Sequence, residues 1–120
     1  MREALLVAAG GAAGALARWG LALATARWSA GGLPVGTWAA NVAGCFLIGL
    51  ALPLATDDRV RLAAVVGFLG AFTTFSTYSA DTLALWEHGR TALAVANAVG
   101  SVAAGLAAVA LGLATARALA

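Results

Sequence analysis

A chain of 120 residues that is 62% hydrophobic and only 10% charged, with a mean hydropathy of +0.94, cannot face water on all sides; soluble domains carry about 25% charged residues. Its net charge of +2 rests on seven arginines with no lysine, scattered rather than gathered into a stripe, which gives no support to nucleic-acid binding. The lone Cys45 and lone His88 exclude an intramolecular disulfide and leave neither a metal cluster nor a nucleophile–base pair, so no enzyme is expected.

Four apolar segments, about 4–26, 36–55, 62–86 and 92–116, each meet or exceed the ~20 residues that cross ~30 Å of hydrocarbon as a helix. Short connections make neighbouring helices antiparallel. The chain therefore reads as an all-α membrane protein, one four-helix transmembrane domain over 1–120, multi-pass in the cell (plasma or inner) membrane. The first segment is a span rather than a signal peptide: it is long, Arg18 interrupts it, and no A-x-A site precedes a soluble chain.

With four spans, the amino end, the loop at 56–61 and the carboxyl end share one side. That side holds Arg2, Arg59, Arg61 and Arg117, and the other holds Arg18, Arg27 and Arg90. Four against three is almost no bias, although such a bias normally sets orientation. Either one orientation wins by a small margin, or the chain inserts both ways and two opposed copies form an antiparallel dimer. Four helices alone enclose little interior, which also favours an oligomer.

In the first segment Gly10, Gly14 and Arg18 share one face, and glycines four apart let another helix approach closely. Arg18 lies about two-thirds along the span, where a cation is costly unless it snorkels, pairs or faces water; it is a snorkelling anchor or the lining of an anion-accessible vestibule. The loop at 28–36, WSAGGLPVG, sets Trp28 at interfacial depth. The second segment opens at Thr37-Trp38 and presents Asn41 one turn in, followed by Gly44, Cys45, Ile48 and Gly49 on roughly one small-residue face. Cys45 reads as packing. Asn41 is a buried amide with two donors, suited to pinning helices or to donating to a permeant anion. Pro53 ends or kinks the segment, and Thr56 or Asp57 is placed to cap the next helix.

The third segment holds the densest information. Residues 67–81 read GFLGAFTTFSTYSAD, with glycines and hydroxyl residues set in the middle of an apolar stretch. Loose backbone groups at that depth must be buried in protein or line a wet cavity, and polar groups there mark the path of something that crosses. Gly67, Gly70, Thr73 and Thr74 are poor helix formers in close succession, which predicts a break around Gly70–Phe75; the competing reading is a continuous helix with its hydroxyls bonded back to its own carbonyls. A break frees carbonyls suited to a hard cation such as Na⁺. Phe75 and Tyr78 share a face, as packing or as positive ring edges for a small bare anion. In the fourth segment Asn97, Ser101 and Gly105 step along one face, as packing or as one wall of a narrow polar track.

GGAAGALAR at 10–18, GTWAANVAGCFLIG at 36–49 and GFLGAFTTFSTYSAD at 67–81, in this order in a four-span chain, resemble the three helix motifs of the fluoride channel family (Fluc, also called CrcB). The resemblance implies a dual-topology antiparallel homodimer, or one half of a heterodimer with a paralogue. It also implies two fluoride pathways and a central Na⁺ that is structural and not transported. By the same resemblance, backbone carbonyls of Gly70 and Thr73 hold the Na⁺. Asn41, Phe75, Tyr78, Ser76, Thr77 and Ser101 line the fluoride pathway, with Arg18 at the vestibule and Asp81 where the family has an acid. Two positions depart from the family pattern: Tyr78 stands in place of a second phenylalanine, and Asn97 where the fourth helix often has a tyrosine. The implied function is passive, fluoride-selective export that confers fluoride resistance. The alternative is a small multidrug-resistance-type proton-coupled exporter, which needs a carboxylate inside the first helix; here that segment's only acid is Glu3, at the membrane edge.

Overall fold

The computed structural model describes residues 1–119 and is helical along nearly all of them. Helix α1 is Arg2–Thr25 and α2 is Val35–Leu54, joined through a 3₁₀ turn at Trp28–Gly31. Helix α3 covers 58–72 in three parts: a first turn Asp58–Val60, a stretch of π geometry over Arg61–Leu69, and a last turn Gly70–Phe72. Helix α4 is Phe75–Glu87 and α5 is Thr91–Leu119. Four stretches are long and apolar enough to span a bilayer, with α3 and α4 forming one of them as Asp58–Glu87. The third span is thus interrupted, and the interruption is Thr73–Thr74, inside the window the sequence indicated.

Local chemistry fixes the ends. Asp57 caps α3, its Oδ1 accepting the amides of Arg59 at 2.8 Å and Val60 at 3.2 Å, which satisfies donors that a first turn leaves orphaned. Gly89, at φ 72°, lets the chain reverse after α4 while the Arg90 amide closes on the Leu85 carbonyl at 2.9 Å. Arg27 lies over the Trp28 ring, 4.5 Å from its centroid, a cation–π pair at the aqueous end of α1. Within α3, the Gly70 amide reaches back to the Val65 carbonyl, the i→i−5 bond of a π-helix. Nothing in the residue pattern of 61–69 foretold that geometry.

Helix pairing follows the small residues. α2 packs on α5, and α1 packs on α3. At the first seam the two backbones interlock: a Cβ at Gly49 would strike the Val109 carbonyl, and one at Gly112 would strike the Phe46 carbonyl. At the second, Gly10 faces the Ala63 carbonyl, Gly14 the Phe68 carbonyl, and Gly67 the Val7 carbonyl. Lipid is as apolar as leucine, so close van der Waals approach takes over the role that water exclusion has in soluble cores.

The result is thin. The extents are 47 × 32 × 21 Å, and a helix with side chains is about 10–12 Å across, so the short dimension is only two helices deep. The buried core is small, made of Ala40, Leu69, Phe72, Leu85, Ala94 and Ala116, while Leu16, Trp19, Leu106 and Leu111 stand mostly exposed toward the surroundings.

The seams predict a contrast between two glycines of α5. Gly112→Val forces backbone apart and is expected to cost about 1–3 kcal/mol. Gly100→Ala meets nothing within 4 Å and is expected to leave the unfolding midpoint in detergent unchanged or slightly raised. Equal midpoints for the two variants would refute the interlocked seam.

Candidate functional site

The break at Thr73–Thr74 separates two helix ends. Thr73 (φ −86°, ψ 157°) and Thr74 (φ −153°, ψ 117°) are fully extended, so neither continues a helical ladder. Two groups from elsewhere and one of the break's own side chains close the exposed backbone. Asn41 pairs with Thr74 twice, its Nδ2 donating to the Thr74 carbonyl at 3.0 Å and its Oδ1 accepting the Thr74 amide at 2.8 Å. The side chain of α2 thereby acts as a strand-like partner for one residue of the third span. Arg18 comes from α1 and donates Nε to the Ala71 carbonyl at 3.0 Å, placing its charge at the negative end of α3, where a cation is favoured. Thr74 also caps α4: its Oγ1 accepts the Thr77 amide at 3.2 Å.

Two carbonyls named in the sequence remain open. Thr73 turns its own amide and hydroxyl back onto the Leu69 carbonyl, at 3.1 and 2.9 Å. No turn, cap or side-chain hydrogen bond among the described residues reaches the carbonyls of Gly70 or Thr73. Gly70 is exposed, and no group of three or more His, Cys, Asp or Glu gathers anywhere among the described residues.

The hydroxyl cluster can be accounted for proton by proton. Thr74 Oγ1 donates to Thr77 Oγ1 at 3.1 Å, so in the Thr74–Ser76 contact of 3.2 Å Ser76 is the donor. Tyr78 donates to the Ala98 carbonyl of α5 at 2.8 Å. Ser101 donates to Asn97 Oδ1 at 3.3 Å, Asn97 Nδ2 donates to Thr82 Oγ1 at 2.8 Å, and Thr82 donates to the Tyr78 carbonyl at 2.7 Å. Tyr78, Asn97 and Ser101 thus belong to one network that also holds Thr82 and ties α4 to α5. What stays uncommitted is the second amide hydrogen of Asn41, the Thr77 hydroxyl and the terminal nitrogens of Arg18.

Phe75 and Tyr78 form a tilted pair, centroids 5.5 Å apart at 39°. The Phe75 ring is 79% exposed. An open cavity of about 350 Å³ runs along this face, lined by Asn41, Gly44, Cys45, Gly70, Thr73, Thr74 and Phe75 among others. Cys45 sits opposite Gly105, whose Cβ position lies 3.3 Å from Sγ, the close packing expected of it.

Sequence reasoning missed the pairing of Thr37 with Asp81, a hydrogen bond of 2.8 Å between α2 and α4. The available signal was register: Thr37 is one turn from Asn41, and Asp81 one turn from Thr77.

Four long apolar helices, one of them interrupted and lined by polar groups at the interruption, define a multi-pass membrane protein whose candidate site is the break. The chain belongs to the family described as CrcB-like protein, Camphor Resistance (CrcB), which matches residues 5–113. It is 44% identical to a fluoride-specific ion channel FluC of Rhizobium leguminosarum bv. trifolii, over all of both chains. It is 49% identical to a protein of the same name from Bordetella avium, covering 93% of this chain and 90% of that one. A fluoride-specific ion channel FluC 2 of Natronomonas pharaonis is 46% identical, over 97% and 96%.

The Asn41–Thr74 pair makes a local prediction. Asn41→Ala strands the Thr74 amide and carbonyl, each at a cost of about 1–3 kcal/mol when buried, and hydrogen exchange at Thr74 should accelerate at least tenfold. Unchanged protection would show that the side chain does not hold the break.

Proposed function

We propose that the chain is a fluoride-selective passive channel that works as an antiparallel dimer. The observation that carries this reading is the exposed face at the break: open carbonyls at Gly70 and Thr73, the Phe75 ring, and the exposed Ser76. In hydrocarbon an uncovered break would leave backbone groups without partners. A second copy covering this face satisfies them, and the near-even arginine distribution suits insertion in both orientations. Names carried by relatives at 44–49% identity supply fluoride as the ion.

The chemistry is that of replaced hydration. Fluoride is small and strongly hydrated, so a selective path must offer donors in place of water, with pore width and lining setting the choice. In this chain the uncommitted donors are Asn41 and Thr77, with the guanidinium of Arg18 nearby. The ring edges of Phe75 and Tyr78 add positive potential. Ser76, Tyr78 and Ser101 contribute shape, their protons being held by protein acceptors. Two equivalent pathways, one per copy, follow from the symmetry of the pair.

A Na⁺ ion fits the open carbonyls of Gly70 and Thr73, because a hard cation takes oxygen ligands. Those carbonyls and their counterparts in the second copy would hold it. When bound it would supply positive charge at the break, as a structural ion that is not transported.

A passive path suffices for export. Moving one charge through 100 mV is worth about 2.3 kcal/mol, which sustains a roughly 50-fold gradient of a monovalent anion.

Proteoliposomes should release fluoride and retain chloride under a potential. Equal release of both ions would remove the selectivity. Phe75→Ile should lower fluoride flux at least tenfold with the dimer intact on size exclusion; an unchanged rate would make the ring mere packing. A lysine pair appended to the amino end should force one orientation and abolish flux, which co-expression of an oppositely biased copy should restore. Full activity from a single-orientation population would contradict the antiparallel dimer.

A further inference from the structure

Arg18, the arginine that the family resemblance puts at a vestibule, has its Nε engaged by the Ala71 carbonyl beside the break. Another arginine lines a cavity without such a partner among the described residues. A cavity of about 600 Å³ lies where the end of α1, the start of α2, the end of α4 and the loop into α5 meet; Thr37, Asp81, His88 and Arg90 line it. Its hydrogen bonds run from Thr37 to Asp81, from Ser29 to the Thr25 carbonyl, and between His88 and the Ala84 carbonyl. None of them takes up the guanidinium of Arg90.

The position of Arg90 is built by the fold. Its amide is held by the Leu85 carbonyl, and its carbonyl accepts the Ala94 amide at 2.9 Å, so its backbone is fixed between α4 and α5. Its guanidinium lies over Gly32, where a Cβ would overlap Nη1. Gly32 has a φ of 80°, so this residue supplies both a left-handed turn and a notch for the side chain. Arg90 is therefore half-buried while its donors remain unspent.

Asp81 is the one acid among the residues lining this cavity. Left alone, that carboxylate would repel an anion at the mouth; the Arg90 guanidinium, lining the same cavity, opposes that repulsion. From Thr37 and Asp81 one helical turn leads to Asn41 and Thr77, which carry uncommitted donors at the break. We propose that this cavity is the aqueous access to the anion path, and that Arg90, seated in the Gly32 notch, is the residue that gathers fluoride there. The proposal rests on the channel reading above. In an antiparallel pair the same mouth faces each side of the membrane once.

The test is fluoride flux through full-length protein in liposomes, comparing wild type, Arg90→Gln and Arg90→Lys at two ionic strengths set with an impermeant salt. At ~10 mM the Debye length is about 30 Å, and at ~1 M about 3 Å, so a gathering charge acts only in the first condition. Arg90→Gln is expected to fall about fivefold or more below wild type at low salt and to match it at high salt. Arg90→Lys should stay within about twofold throughout; steering by a charged cleft is worth ten- to a thousandfold at most. The high-salt match also reports that the variant is folded and open. Arg90→Gln equal to wild type at both salts overturns the proposal. So does an equal deficit at both, which marks a structural residue instead. A wild type that carries no fluoride at all overturns the channel reading and this proposal together.

Discussion

Unpaired peptide groups cannot sit in hydrocarbon, and the rest of this structure is arranged around that constraint. The two extended residues, Thr73 and Thr74, interrupt the third span and release amides and carbonyls that hydrocarbon would leave without partners. Asn41 takes one amide and one carbonyl of Thr74, Arg18 takes the Ala71 carbonyl, and Thr74 caps the helix that follows. Each partner comes from a different part of the chain, so the break holds three spans in register as much as they hold it. The carbonyls left over at Gly70 and Thr73 take no turn, cap or side-chain hydrogen bond among the described residues, and in the proposed dimer they are where cation and partner meet.

The thinness of the molecule follows from its seams. Glycines facing carbonyls at both helix pairings bring backbones close, leaving little space between helices for large side chains to fill. Among the described residues no large side chain is fully buried. Such a chain has almost no interior in which to hide a polar path. A path must lie on its faces and be completed by whatever covers them, which ties ion passage to assembly in the reading proposed here.

The spans were legible because length and apolarity report directly on crossing a bilayer. The interruption was legible because Gly67, Gly70, Thr73 and Thr74 crowd into about two turns, against helix propensity. The individual pairings were not. Thr37 meets Asp81 across 44 positions, and Arg18 meets Ala71 across 53. Such contacts depend on how each helix is rotated about its axis, and rotation is poorly encoded in helices rich in alanine, glycine and leucine on every face. Asn97 illustrates the difficulty: it read as a stripe along α5, whereas its amide reaches across to Thr82 on α4. The π geometry of 61–69 left no trace in residue type, and the stretch packs against α1.

That π stretch has a consequence for chain length. An α-helix turns about 100° per residue, so excising one residue from α2 would swing everything beyond the cut to a new azimuth. The 61–69 coil already carries slack, with bonds that skip five residues instead of four. Shortened by one in its middle, it can relax to the tighter winding and still deliver Gly70 and Thr73 to the same place. The segment just ahead of the most exacting part of the protein is therefore better able to absorb a deletion than a regular α-helical span.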